Sequence, residues 1–179
     1  MKKRSSHNLI WIDLELTGLD IKKDKILEIA CVVTDRDLNY LTEVVNYVIH
    51  YPKSILKQMD PWSLEVHTKS GLIDEVLNSK TTLLNAQKQI LEIIIPFTKP
   101  GQNLLAGSSV HFDKMFLAKF MPELDNYLKW QIIDVATVRN LAYRWYKIKP
   151  FPKKDSHRAK TDIIESIQEL KYLKELIFK

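Results

Sequence analysis

The chain has 179 residues, 45% of them hydrophobic, and carries 27 Lys and Arg against 22 Asp and Glu, a formal net charge of +5. That length fits a single domain over residues 1–179 with a core that needs no disulfide; the hydrophobic content excludes a disordered chain, and the charge is too small to argue for a polyanionic partner unaided. One cysteine, Cys31, excludes an intrachain disulfide and points to a reducing compartment, and no stretch approaches the roughly 20 apolar residues of a membrane span.

Residues 1–4 are basic, but the apolar run behind them is cut by Asp13 and Glu15 and is too short for a signal peptide, so a cytoplasmic protein is expected. Residues 8–16 (NLIWIDLEL) are apolar apart from their two acids and predict a central strand. Residues 26–34 (ILEIACVVT), where Cys31 reads as a small buried hydrophobe, and 41–50 (LTEVVNYVIH) are rich in β-branched side chains. Three such strands with short polar links predict an antiparallel meander. Short helices are predicted at 60–69, with Pro61 in the first turn, and at 70–78. Residues 82–95 are apolar at 83, 84, 90, 91, 94 and 95, an amphipathic helix that Pro96 ends. A short strand at 103–106 follows, and Ser108 or Ser109 is placed to cap a helix reaching Phe120, with Phe112, Met115, Phe116 and Phe120 on one face. Residues 132–133 predict a last strand, and Asp134 caps a helix to about Trp145. Residues 147–158 read as a loop, with Pro150, Pro152 and the chain's local cluster of basic residues; 161–178 form a closing helix with Ile163, Ile164, Ile167, Leu170 and Ile177 inward. Strands first, then strands alternating with helices, predict an α/β fold, a mixed sheet covered by helices.

Asp13 and Glu15 stand two apart on a strand that is otherwise apolar, so both point to one face of the sheet. Burying two unpaired carboxylates together costs several kcal/mol or more, and a divalent cation with its taste for oxygen ligands would offset it. The alternative is an edge strand whose polar face meets solvent. Asp113 falls in the first turn of its helix, where any acid gains about 0.3–1 kcal/mol from the dipole. Asp162 has the same alternative at the start of the last helix, and His157 taken alone could be a solvated loop residue. Together the four carboxylates could converge on two Mg²⁺ or Mn²⁺ ions about 3.5–4 Å apart, one activating water and one stabilising a leaving oxygen. His157 would then take the water's proton, histidine being the side chain that changes charge near neutrality. Zinc-ligand spacing, a phosphate-cradling glycine loop and a G-x-S-x-G elbow are all missing from the sequence.

These residues carry a resemblance. Ile12-Asp13-Leu14-Glu15-Leu16-Thr17-Gly18-Leu19 resembles the first motif of the DEDD superfamily of 3′→5′ exonucleases. Asp113, within Gly107-Ser108-Ser109-Val110-His111-Phe112-Asp113, resembles the second, and His157-x₄-Asp162 the third, in the histidine-type subclass. Within that superfamily the chain is most similar to the oligoribonuclease family, through residues 8–15, Met59-Asp60-Pro61-Trp62-Ser63, His67-Thr68-Lys69-Ser70-Gly71-Leu72, Phe120-Met121-Pro122-Glu123-Leu124 and Asp134-Val135-Ala136-Thr137. The similarity covers nearly the whole chain. It implies an RNase H-like mixed five-stranded sheet flanked by helices, a homodimer, and hydrolysis of very short single-stranded RNAs, dinucleotides especially, to 5′-mononucleotides with two divalent cations. It further implies Leu19 as a wedge against a base, Trp62, His67 and Ser109 near the substrate, and Trp130 reaching the partner's site where the family usually has tyrosine. Gln131 and Ala136 replace an expected arginine and serine, and His111-Phe112 an expected Gly-Gln pair.

Overall fold

The computed structural model describes residues 4–154 and 156–178; residues 1–3 of the basic start lie outside the described residues. The chain first lays down β1 (Leu9–Leu16), β2 (Ile26–Thr34) and β3 (Val45–Val48). Each is antiparallel to the one before, the predicted meander. Short helices α1 (Lys53–Leu56), α2 (Pro61–Lys69) and α3 (Leu72–Asn78) follow, then the longer α4 (Leu83–Ile94). Beyond them, β4 (Leu105–Gly107) adds parallel to β1 and β5 (Ile132–Asp134) parallel to β4. Helices α5 (His111–Phe120), α6 (Pro122–Tyr127), α7 (Val135–Tyr146) and α8 (Ala159–Ile177) complete the fold. The result is a mixed five-stranded sheet in the order β3-β2-β1-β4-β5 with helices on its faces, as expected.

Strand parity sorts the core. Ile10, Ile12, Leu14 and Leu16 of β1 join Ile29, Cys31 and Val33 of β2 under α4, α5 and α6. Leu9 and Trp11, with Ala30 and Val32, face α7 and α8. Asp13 and Glu15 continue the second series, so the period of two delivers both acids to the side on which α8 packs. Cys31 is fully buried, as a small hydrophobe in this run should be.

Several expectations change. The strand expected at 41–50 is reduced to an edge strand of four residues. The expected start leaves the ladder early because Thr42 Oγ1, not a strand carbonyl, accepts the Val33 N–H at 3.1 Å. At 103–106 the strand begins later, because buried Asn103 ties loops together, donating to the Ser5 and Asn8 carbonyls. Neither Ser108 nor Ser109 caps α5: Val110 is the N-cap, without a side-chain hydrogen bond, and Ser109 holds a left-handed φ of 58°. On α5, Met115 is 44% exposed and Leu117 takes its place inside, while Leu84 of α4 is 52% exposed. The second predicted helix, α3, starts at Leu72 because Gly71 turns left-handed before it. Helix α8 begins two residues early, at Ala159, whose N–H is accepted by buried Glu28. Asp134 caps α7 as expected, Pro61 stands in the first turn of α2 as expected, and Asp60 proves to be that helix's N-cap.

Gly107 ends β4 where it crosses closest to β1. A Cβ there would stand 3.0 Å from the Ile12 carbonyl oxygen and 3.0 Å from Val110 Cγ2, and the first of these is backbone. Gly107→Ala should therefore destabilise the fold by about 1–3 kcal/mol in urea denaturation, as overpacking does. A neutral result would mean that β4 can move away from β1 at no cost.

Candidate active site

Asp13, Glu15 and Asp162 each offer a carboxylate oxygen within 4.8 Å of the others'. Two come from β1 and one from the first turn of α8, so the parity of the strand and the docking of one helix create the group. Asp113 stands beside it from the first turn of α5 and has a structural task as well. Strand β4 ends at Gly107, and beyond that point Asp113 Oδ1 accepts the Leu14 N–H at 2.9 Å in place of a ladder carbonyl. The other side of the Asp162 carboxylate is held by the Ser156 hydroxyl, which donates to Oδ1 at 3.2 Å.

The electrostatics are those of crowded acids. Burial, then the charges of Asp113, Glu15 and Asp162, push the Asp13 carboxyl well above its ordinary 3.8. Burial, then Asp162, Glu28 and Asp113, push Glu15 from 4.5 up to about 8, with Arg158 opposing. Burial raises Asp113 from 3.8 to about 7 against two hydrogen bonds that favour its charged form, and Asp162 is also raised, chiefly by burial. Burial away from water raises such groups, and like charges nearby add to it; a dication is the partner that would reverse both.

His157 lines a cleft of about 190 Å³ with Asp13, Asp162, Ser108 and Lys153. Its backbone is left-handed, φ 49°, and its ring meets the edge of Trp62 at 5.5 Å. The next residue anchors the loop. Arg158 donates to Glu28 at 2.8 Å and to both oxygens of Glu75 at 2.7 Å, while Glu28 also accepts from Asn46 and from the Ala159 N–H. Glu28 is fully buried on β2, directly opposite Glu15. One ionic junction thus sets both the position of His157 and the start of the helix that carries Asp162.

A second cleft, of about 290 Å³, is shared by Glu15, Leu19, Trp62 and His67. Leu19 and Trp62 are 61% and 62% exposed, so neither is spent on the core. The turn before Leu19 folds around Asp24, which accepts from Thr17 Oγ1 at 2.8 Å and from the Asp20 N–H at 2.9 Å. Any Cβ on Gly18 would lie 2.6 Å from Asp24 Oδ2, which is why glycine stands there. The Asp60 N–H donates to the Thr17 carbonyl at 2.9 Å, drawing the Trp62 helix against this turn. His67 is buried; burial lowers its pKa and its Nε2–H donates to the Leu16 carbonyl at 3.0 Å, 3.7 Å from Glu15 Oε2. Its Nδ1 has no hydrogen-bond partner among the described residues.

Of the residues singled out in the sequence, Asp13, Glu15, Asp162 and His157 meet, Asp113 adjoins them, and Leu19, Trp62 and His67 gather in the neighbouring cleft. Ser109 is exposed and its N–H donates to Asp134 Oδ1 at 2.7 Å. Trp130, 79% exposed, lines a separate hollow with His111 and Gln131, and Ala136 is buried. Sequence reasoning missed Glu28, Arg158, Ser156 and Lys153. Glu28 did carry a signal, being the lone acid in the apolar run ILEIACVVT.

The sequence pattern of the exonuclease family matches residues 10–170. The chain is 48% identical over 175 residues to the probable oligoribonuclease of Dictyostelium discoideum, covering 97% of this chain and 92% of that one. In shape it is similar to exonuclease I of Methylocaldum szegediense (TM-score 0.74, 16% identity, 96% of this chain and 41% of the other). It is also similar to E. coli exonuclease I in complex with a 5cy-dA13 oligonucleotide (TM-score 0.68, 16% identity, 94% and 40%). The chain spans about two fifths of those exonuclease I chains, and at such identity the likeness is one of fold.

Two outcomes follow from the site. The folded state holds protons on Glu15 and Asp113 that the unfolded chain releases at ordinary carboxylate pH, so folding weakens as pH rises. In EDTA the melting temperature should fall between about pH 4.5 and about 8, the window set by Glu15, and fall less in Glu15→Gln. A rise with pH through that window would contradict the assignment. Glu28→Gln removes one partner of a buried ion pair, a change that costs roughly 3–5 kcal/mol when the remaining charge is left enclosed. Arg158 keeps Glu75 and some solvent, so urea denaturation should show a loss at or below the lower end of that range.

Proposed function

The chain belongs to the exonuclease family, among its oligoribonucleases, and from there we propose that it is a metal-dependent 3′→5′ exoribonuclease acting on short single-stranded RNA, dinucleotides above all. The observation that carries the reading is the meeting of Asp13, Glu15 and Asp162 within 4.8 Å of one another beside Asp113 and His157. An all-oxygen donor set of carboxylates, each pushed toward its protonated form first by burial and, at Asp13 and Glu15, then by neighbouring acids, fits hard dications, and we assign Asp13, Glu15, Asp113 and Asp162 to holding two Mg²⁺ or Mn²⁺ ions. Such ions supply activation of the attacking water and stabilisation of the leaving oxygen's charge.

The protein's own groups do the rest. His157 removes a proton from the water as it attacks the last phosphorus. The bond to the 3′-oxygen of the preceding nucleotide breaks, that oxygen takes a proton from solvent to become the new 3′-hydroxyl, and a 5′-mononucleotide departs. The Arg158 junction and the edge contact with Trp62 keep the imidazole over the cleft. Leu19 wedges against a base while Trp62 and His67 line the nucleotide's cleft, stacking of this kind being worth about 1–3 kcal/mol per base. Ser109 stands near the substrate. Trp130, left open to solvent, reaches the second site of a homodimer. We read residues 1–179 as one exonuclease domain, in keeping with a single sheet built from both halves of the chain. We place it in the cytoplasm, a reducing location suiting the lone buried Cys31. Among the described residues no helix is long and apolar enough to cross a membrane.

The test is to incubate di- to heptaribonucleotides with and without Mg²⁺ and follow 5′-mononucleotide release. The wild type should release mononucleotides only with the cation, and Ala at Asp13, Glu15, Asp113 or Asp162 should abolish release. His157→Ala should lower kcat by about 10²–10⁴-fold with little change in KM. An Asp113→Ala protein with wild-type rates would remove it from the site, and metal-independent or absent hydrolysis by the wild type would overturn the reading.

A further inference from the structure

We propose that Lys153 is a further catalytic residue: its ammonium contacts a non-bridging oxygen of the phosphate being cleaved and stays on that phosphate in the mononucleotide product. The identity of the ligand rests on the exoribonuclease reading. Lys153 lines the cleft of about 190 Å³ that also holds Asp13, His157 and Asp162, and it is the only Lys or Arg among the described residues that line it. Burial raises the Asp162 carboxyl, and the charge of Lys153 is among the influences that oppose the rise, so the ammonium stands near that acid. The two make no ion pair, however. The nearest acid to Lys153 Nζ is Glu169, buried on α8, whose Oε2 lies 2.8 Å away. Glu169 is already served by Arg139, whose Nη1 donates to both its oxygens at 3.1 and 3.2 Å. Two cations on one carboxylate leave one positive charge over. An ammonium has three donors, so Lys153 keeps donors for a ligand in the cleft.

The segment that carries Lys153 is fixed to α8 on both sides. Before it, the Phe151 ring meets the Tyr172 ring at 5.8 Å, and Pro150 and Pro152 restrict the backbone around that contact. After it, the Lys154 N–H donates at 3.0 Å to Glu165 Oε1, the remaining acid of the cleft's lining. A cation held in this way already stands where charge will develop and needs no rearrangement to meet it.

The charge balance gives such a cation a task. Four carboxylates and two dications cancel, which leaves the substrate's phosphate no net attraction from the loaded acids. Cleavage then turns a diester with one negative charge into a monoester with about 1.5–2, so the phosphate grows more negative as the reaction proceeds. A lysine beside it holds the later species more strongly than the substrate, which is the condition for lowering a barrier.

AMP, a product, binds without turning over, so its affinity reads the contact apart from catalysis. Titration calorimetry of AMP on the full chain with Mg²⁺ should show at least about a tenfold loss of affinity in Lys153→Gln, as expected for a hydrogen bond to a charged group. Adenosine, which lacks the phosphate, should bind the variant as it binds the wild type. Lys153→Arg keeps the charge and should recover most of the AMP affinity. In diadenylate hydrolysis Lys153→Gln should lower kcat by about 10–100-fold and change KM less. A lysine needed only to neutralise Glu169 makes a different forecast: Lys153→Gln/Glu169→Gln, with no buried acid short of a partner, would regain wild-type AMP affinity and kcat. The proposal expects the double variant to stay defective in both. Unchanged AMP affinity in Lys153→Gln, an equal loss for AMP and adenosine, or rescue in the double variant overturns it while dinucleotide hydrolysis by the wild type stands. A wild type that hydrolyses no dinucleotide in Mg²⁺ would instead strike the exoribonuclease reading.

Discussion

Carboxylates that repel one another are held together on one face of this sheet, and much of the surrounding structure exists to hold them there. Asp13 and Glu15 cannot avoid each other, since a strand places alternate residues on one side. Asp162 is brought in by α8, Asp113 by α5, and Glu28 lies across the ladder from Glu15. A site left to itself would answer by taking up protons, which is the direction in which Asp13, Glu15, Asp113 and Asp162 are all displaced. Of these five acids, Glu28 alone has a full cationic partner among the described residues, and Arg158 spends itself there rather than on the cluster. The fold thereby reserves the cluster's negative charge for something that arrives from outside.

The rigidity that resists this repulsion is distributed. Both faces of β1 are packed, so the strand cannot roll to relieve Asp13 and Glu15. Asp113 is tethered through the Leu14 N–H at the point where β1 and β4 part, which makes one carboxylate serve both the sheet and the site. Asp134 performs a similar double duty at the end of β5, capping α7 and accepting the Ser109 N–H. A turn and a helix then present apolar and aromatic groups beside the acids: the turn around Asp24 carries Leu19, and the Asp60-capped helix carries Trp62. In the proposed function that exposed ring and aliphatic side chain, beside the acids, receive a flat base next to its charged phosphate.

The central strand, the meander, the mixed sheet and the acids' common face were legible because each follows from a short local pattern. Parity alone placed Asp13 with Glu15, and Pro61 and the Asp134 cap marked helix starts correctly. What was not legible depended on partners distant in sequence. Helix α8 starts at Ala159 because Glu28, on β2, accepts its N–H. Ser109 fails as a cap because its backbone turns left-handed, where an N-cap needs the extended region. Asn103 is a loop tie and not a strand residue because Ser5 and Asn8 face it. Met115 and Leu84 fit their apolar stripes yet lie outside, since helical periodicity locates a face only to within about a residue. Glu28 should have been read with Asp13 and Glu15, for a lone acid in a fully apolar strand poses the same question that they do. The match with an exonuclease family then supplied the chemistry that geometry by itself leaves open.

The central claim is that buried, mutually repelling carboxylates keep their protons until a divalent cation displaces them. Titration calorimetry of Mn²⁺ binding near pH 7, repeated in buffers of different ionisation enthalpy, counts those protons directly. With Glu15 displaced to about 8 and Asp113 to about 7, binding should release protons into the buffer, and Glu15→Gln should release fewer. Cation binding with an enthalpy independent of the buffer, or no binding at all, would contradict the account.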